Sequence, residues 1–392
     1  MIKRILYTLL IMFPVLASAQ INTDRVMAIG RNALYFEDYV LSIQYFNQVI
    51  NAKPYLSDPY FYRGLAKINL DDFQGAESDC SEAIERNPFV VSAYQVRGLA
   101  RIQQNNFAGA IEDYTKALEF DPENIGVWHN MALCRIRQED YKGAKNDLDK
   151  LIAISPRYTK AYLMRGEVDL KQKDTLAAEK DFGKAIEIDR YDADTWASRA
   201  ILRLQQQRYK DAEADFDHAI RLSTRNSGVY INRALARYHQ NNLRGAMSDY
   251  DIALDIDPNN FIGHYNRGLL RAQVGDDNRA IQDFNFVIEM EPDNMMAIFN
   301  RGLLLDQTGD YKGAIKDYST VINEYPNFLL GYQYRAQARR KIGDVKGADA
   351  DEFKVLKAQL DKQNGVDPNK QTADNTENNK TRKKSDKNMN NY

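Results

Sequence analysis

The chain has 392 residues, with 53 Lys and Arg against 55 Asp and Glu, four His and two Cys. A formal net charge of -2 excludes a generally basic nucleic-acid binder and a strongly acidic unfolded chain. Two cysteines exclude a disulfide scaffold and a four-cysteine zinc site, and the length exceeds the roughly 200–250 residues of one compact domain, so the chain is either two domains or a repeat.

The first element is an address. Lys3 and Arg4 precede an apolar run, residues 5–16, broken only by Thr8 and Pro14. Ala17, Ser18 and Ala19 then offer the small residues a signal peptidase accepts, so residues 1–19 read as a secretory signal. The run falls short of the roughly 20 apolar residues that span a bilayer. No cysteine follows it, so a lipid anchor is not indicated. The expected product is exported: periplasmic first, secreted or outer-membrane-associated as alternatives. No later segment is long and apolar enough to span a membrane.

From residue 20 a period of 34 takes over. Asp79, Asp113, Asp147, Asp181, Asp215, Asp249, Asp283, Asp317 and Asp351 are each 34 residues apart. Ala76, Ala110 and seven further alanines to Ala348 keep the same step with Ala212 among them, and so do Pro54, Pro88, Pro122, Pro156, Pro258, Pro292 and Pro326. A fixed step of this size marks units that bury their faces against their neighbours. The frame divides residues 20–362 into ten units: 23–56, 57–90, 91–124, 125–158, 159–192, 193–226, 227–260, 261–294, 295–328 and 329–362. Residues 363–392 are polar and Asn-rich and read as a disordered tail.

Each unit reads as two helices. In the third, residues 92–102 run without a breaker apart from Gly98. Asn105 and Asn106 turn the chain. Phe107, Ala110, Ile111, Tyr114, Ala117 and Leu118 then recur at spacings of three and four until Asp121 and Pro122 stop the helix. Gly or Ala at position eight and Ala at position twenty let the two backbones approach, and the aromatic at position twenty-four fills the space beside them. Units five and six lack the proline at position thirty-two, where Arg190 and Thr224 stand.

These units resemble tetratricopeptide repeats: an aromatic at position four (Tyr60, Tyr94, Trp128, Tyr162, Trp196, Tyr230), Gly or Ala at eight, Ala at twenty, an aromatic at twenty-four, Ala at twenty-seven and Pro at thirty-two. The resemblance implies an all-α fold, a right-handed superhelical solenoid of about ten helix-turn-helix repeats. It also implies a concave inner face, lined by the first helices, that binds ligands. One departure stands out. The family usually has Leu at position seven, and this chain has Arg63, Arg97, Arg165, Arg199, Arg233, Arg267, Arg301 and Arg335. Position twenty-three carries the Asp series. The expectation is structural ion pairing, as in Arg97 with Asp113, Arg199 with Asp215 and Arg301 with Asp317, across a helix pair or into a neighbouring unit. The first unit has Ile29 and Tyr45 instead, and the fourth has Met131, with Arg135 one turn further on.

Catalysis finds no foothold in this pattern. His129, His218, His239 and His264 fall in different units, so no metal site is expected. Cys80 and Cys134 occupy packing positions of different units and read as buried free thiols. The glycines follow the repeat, not a nucleotide loop. The expectation is no enzyme and no cofactor, metal or nucleic-acid partner.

The inner face is the candidate binding surface. Positions two, five and nine of the last three units read Ile262, Tyr265 and Leu269, then Met296, Phe299 and Leu303, then Leu330 alone. Position two is polar or Gly in every earlier unit, so this apolar patch is local. A second candidate lies in Met27, Leu34, Tyr35, Phe61 and Ile68. The resemblance does not extend to a carboxylate clamp: Phe61 with Leu65, or Gln95 with Leu99, cannot hold one. Two functions follow. One is a non-catalytic scaffold that binds envelope or secreted protein partners in the groove. The other is a glycan- or peptidoglycan-binding accessory of an envelope enzyme complex. Aliphatic rather than aromatic residues along the groove favour the first. The partner's identity and the oligomeric state are not readable.

Overall fold

The computed structural model describes residues 22–222 and 225–363. The expected signal and the tail beyond Gln363 lie outside the described residues. Contact density divides the chain into Met1–Arg190 and Tyr191–Tyr392. The boundary falls at position thirty-two of the fifth repeat, where Arg190 stands in place of proline.

Among the described residues there are 20 helices and no strand. The first unit holds five hairpins: α1 (Thr23–Tyr35) with α2 (Tyr39–Ala52), α3 (Asp58–Ile68) with α4 (Phe73–Arg86), α5 (Val91–Gln103) with α6 (Phe107–Phe120), α7 (Ile125–Arg137) with α8 (Tyr141–Ile154), and α9 (Thr159–Lys171) with α10 (Thr175–Ile188). The second holds α11 (Ala193–Gln205) with α12 (Tyr209–Arg221), α13 (Ser227–His239) with α14 (Leu243–Ile256), α15 (Phe261–Gln273) with α16 (Asp277–Met290), α17 (Met295–Thr308) with α18 (Tyr311–Glu324), and α19 (Leu329–Lys341) with α20 (Val345–Gln363). Within each unit a helix packs on its hairpin partner and on the next hairpin.

The turn inside each hairpin is built by two residues. Position fifteen adopts a left-handed backbone: Glu37, Asp71, Asn105, Glu139, Lys173, Gln207 and Asn241, then Gly275, Gly309 and Gly343. Position sixteen is Asp or Asn in most repeats and caps the second helix, as when the Asp72 carboxylate accepts from the Gly75 amide at 2.9 Å. A left-handed non-glycine residue carries a steric cost of about 1–2 kcal/mol, partly offset because glycine loses more chain entropy on folding. Gln207→Gly is therefore expected to stabilise the protein by about 0.5–1 kcal/mol. Urea unfolding of the full chain checks it; an unchanged or lowered midpoint would contradict the strain argument.

Small residues set the distance between paired helices. Every position-twenty alanine from Ala76 to Ala348 is fully buried. A Cβ built on Gly166 would lie 2.5 Å from the Phe182 ring, closer than any real contact, so this position admits glycine only while that ring stays where it is. Position ten forms a further buried row, with Ala66, Ala100, Cys134, Leu202, Ala236 and Ala338 closed to solvent. This row absorbs much of the apolar content of the first helices. It leaves position nine only half covered, with Leu99 at 38% and Leu269 at 39% exposure.

Candidate functional site

Two features run the length of both units: a buried polar ladder between helices and an apolar stripe on the solvent side of the first helices.

The ladder begins with the position-seven arginines. Arg97 grips Asp113 from Nε at 3.1 Å and Nη2 at 2.6 Å. Arg199 holds Asp215 at 2.8 and 2.9 Å, and Arg301 holds Asp317 at 2.8 and 2.7 Å. The partners lie within one repeat, across the helix pair. The remaining nitrogen reaches back one repeat: Arg97 Nη1 donates to Ser81, Arg233 to Asp217 and Arg335 to Ser319, at 3.1, 2.7 and 2.9 Å. One guanidinium thus ties a hairpin together and ties it to its predecessor, a use of its fixed fork that lysine could not copy. The same guanidinium lies over the position-four ring, as with Arg97 on Tyr94 and Arg233 on Tyr230, at 5.7 and 5.6 Å.

Position eleven adds a second cation that the repeat pattern alone did not disclose, except at Arg135. Arg203 donates to Asp215 at 2.7 Å, Arg237 to Asp249 at 2.8 Å and Arg339 to Asp351 at 2.9 Å. Arg101 and Arg237 also reach Glu77 and Glu213 of the preceding repeat at 2.8 and 2.7 Å. In the fifth repeat the polarity is reversed: position eleven is Asp169, and it accepts from Lys145.

The buried carboxylates respond to how many donors they have. Burial raises Asp113 above the ordinary carboxylate range despite Arg97 and Arg101. Burial acts in the same direction on Asp283, but His264, Arg267 and Arg271 outweigh it and hold that carboxyl low. Asp147, facing Arg135 alone, is pushed up to about 6 by burial, and its Oδ2 has no hydrogen-bond partner. Each of these three carboxylates is buried and faces arginine donors across its helix pair.

The thiols are equally enclosed. Cys80 and Cys134 are free and buried, and burial pushes them up to about 12 and about 11, which leaves little thiolate for nucleophilic chemistry. No group of three or more His, Cys, Asp or Glu among the described residues is placed to hold a metal ion.

The apolar stripe is the surface a partner can reach. On α15, Ile262 is 51% exposed and Leu269 39%, with half-buried Tyr265 between them on the same face. Asn300 donates to the Tyr265 hydroxyl at 3.1 Å and fixes that ring from the next repeat. Met296, Leu303 and Leu330 are half-buried. Phe299 is largely a packing residue, with its ring centre 5.0 Å from that of Phe328 and 5.8 Å from those of Tyr318 and Tyr334. The seven candidates therefore divide: Ile262, Tyr265 and Leu269 present a surface, and Phe299 anchors the ninth repeat to the tenth. In the first unit, Tyr35 is 81% exposed, while Met27, Leu34, Phe61 and Ile68 are half-buried.

A further depression lies between α7 and α9 and has a volume of about 420 Å³. Leu133, Ile136 and Met164 line it together with His129, Arg137 and Lys171. His129 is held below the usual imidazole range by burial and by Lys160. Its lining residues include positions five, nine, twelve and thirteen of the fourth repeat. Those positions were legible in the sequence, but the hollow was not, because its depth depends on how α9 is seated.

Comparison with known proteins agrees with this architecture. A model described as TPR repeat matches residues 98–134, and two described as tetratricopeptide repeat match residues 198–261 and 265–327, and residues 125–158 and 159–192. The chain belongs to the tetratricopeptide repeat family. A tetratricopeptide repeat protein from Parabacteroides merdae is 21% identical, with a TM-score of 0.50 over 64% of this chain and 98% of that one. PilF of Pseudomonas aeruginosa is 19% identical, with a TM-score of 0.47 over 55% and 97%. YrrB, described as a TPR protein with an unusual peptide-binding site, is 20% identical, with a TM-score of 0.39 over 47% and 95%. At these identities the likeness concerns the fold alone. No curated protein matches the sequence.

Proposed function

We propose that this chain is a non-catalytic scaffold that holds a protein partner of the cell envelope against the face lined by its first helices. The observation that carries this reading is the apolar row Ile262, Tyr265 and Leu269. It lies on the solvent side of α15, while the other side, through Gly263, Gly268 and Leu270, is committed to packing. Exposed aliphatic residues at helical spacing suit the apolar face of a partner helix or an extended segment. A glycan would call for exposed aromatic rings in a row, and the most exposed members here are aliphatic. The envelope assignment rests on the leader-like residues 1–19, so N-terminal sequencing of the exported product should begin at Gln20.

The test is photocrosslinking in cells from a probe at Leu269, with Arg225 as control. Leu269 replaces Phe299 as the probe site because the Phe299 ring is enclosed by its neighbours. A specific protein adduct at 269 is expected. Ile262→Glu with Leu269→Glu should reduce recovery of that partner at least tenfold, about 1.4 kcal/mol or more, and leave the melting profile nearly unchanged. An adduct equally strong at 225, or undiminished capture by the double variant, would remove this surface from consideration.

A further inference from the structure

Most internal repeat junctions in this chain share one chemical pattern, with departures at Met131, Gly183 and Ile298 and at the two positions, Arg190 and Thr224, that lack proline. The position-seven arginine donates to a polar side chain at position twenty-five of the preceding repeat, as in Arg97 to Ser81, Arg267 to Asp251 and Arg301 to Asn285. The position-four side chain donates to the position-thirty-two proline carbonyl, as in Tyr60 to Pro54, Trp128 to Pro122 and Tyr162 to Pro156. Position twenty-eight is Ile or Leu and is covered by the next hairpin, leaving Leu118 at 9%, Leu254 at 6% and Ile322 at 3% exposure.

Both ends of the array break this pattern, and in the same direction. On the first repeat, position seven is Ile29, 37% exposed, and position four is Val26. On the last repeat, position twenty-five is Phe353, 66% exposed, and position twenty-eight is Leu356, 53% exposed. Position thirty-two is Leu360, 48% exposed. Because Leu360 replaces proline, α20 continues to 19 residues and carries the apolar row another turn. Terminal repeats normally need a polar outer face to keep a stacked array soluble. Here the outer faces are apolar at positions seven and twenty-five, which are polar at most internal junctions, and position twenty-eight, covered inside, is exposed.

The changes match as pairs. Where the donor arginine is missing, its acceptor has become a phenyl ring. Where the donor ring at position four is missing, the proline has become leucine. We propose that α1 of one copy docks on α20 of a second copy, in the place a following first helix would take, with Ile29 against Phe353 and Val26 against Leu360. Arg25 at position three is the one long side chain in this contact, where internal repeats have Gly263, Ala297 or Gly331. Its stem lies across Leu356, and its guanidinium stays in water.

Residues 364–392 contain four apolar residues, Val366, Ala373, Met389 and Tyr392, too few to make a continuous apolar helix face. A first helix of the internal kind would set an arginine against Phe353 without an acceptor. Contact between unlike faces is heterologous, so copies add head to tail, into an open chain or a closed ring.

Sedimentation of the full chain over a range of concentrations tests this. The native chain is expected to gain mass with concentration. Ile29→Glu and Phe353→Glu are each expected to weaken association at least tenfold. Both positions are exposed, so circular dichroism should show each variant folded. An equimolar mixture of the two variants retains one intact junction, the Ile29 face of one on the Phe353 face of the other, and should form dimers and nothing larger. A native chain that stays monomeric throughout overturns the proposal. So does a mixture that fails to dimerise. Loss of assembly with Phe353→Glu but not with Ile29→Glu would point to α20 pairing with its own copy and would also overturn it.

Discussion

Asp215→Ala is expected to destabilise the protein by about 3–5 kcal/mol, the largest effect of any single polar substitution proposed for it. The carboxylate is 3% exposed and receives Arg199 from two nitrogens and Arg203 from a third. Its removal takes the two-nitrogen acceptor from Arg199 and one acceptor from Arg203 in a half-buried layer. The cost is the desolvation of those charges more than the loss of three hydrogen bonds. Arg199→Met combined with Asp215→Leu should cost less than Asp215→Ala alone, since it removes one of those two charges and fills the space. A double-mutant cycle in urea measures the coupling, and strict additivity would contradict it. Arrays need not unfold in one step, so hydrogen exchange in α11 and α12 is the more local readout.

Met131→Arg is expected to act in the opposite direction, stabilising the protein by about 1–2 kcal/mol above pH 7. Met131 stands where other repeats have their arginine, and Asp147 is left with Arg135 and an unpartnered oxygen. The new guanidinium would face that oxygen, and the Thr115 hydroxyl, already 3.9 Å from the Met131 sulfur, offers the acceptor in the preceding repeat. The sign of the pH dependence follows from Asp147. Its carboxyl, at about 6, lies above the ordinary value of 3.8, so the native chain holds this proton more tightly than the unfolded one. That contribution is complete below pH 3.8 and is lost as pH rises through 6. The advantage of the variant should therefore be small at pH 4 and grow to a plateau above pH 6. A gain independent of pH would mean that the added side chain acts by packing alone.

Much of the fold was legible because the repeat speaks many times over. Ala110 or Pro122 alone decides nothing, but their recurrence every 34 residues fixed the helix pairs, and the turn at Asn105 follows from its neighbours. The Arg97–Asp113 type of pair was legible for the same reason. The second cation at position eleven was harder to see. That position is Arg101 in one repeat, Asp169 in another and Leu305 in a third, so the series is broken as a pattern, and only the geometry shows that these residues meet the same layer. The binding surface was legible as composition and not as exposure. Ile262 and Phe299 look alike in sequence, yet one faces water and the other lies between Phe328 and Tyr334. Ile262 stands at position two and Phe299 at position five, and the Phe328 ring packs on the second.

The reversed pair Lys145–Asp169 has a consequence for the order of the repeats. Ten hairpins of one design could in principle stack in the wrong sequence while the chain folds, since the core surfaces of neighbours are nearly interchangeable. Charge breaks that degeneracy. Seated on the second repeat, α9 would set Asp169 against Glu77 in place of Lys145. The third repeat, seated on the fourth's successor position out of turn, would set Arg101 against Lys145. Each mismatch places like charges in a half-buried layer, which disfavours slipped and swapped arrangements. The fourth and fifth repeats are in this sense keyed to each other. An internal deletion that removes one but keeps the other should fold less well than a deletion that removes both.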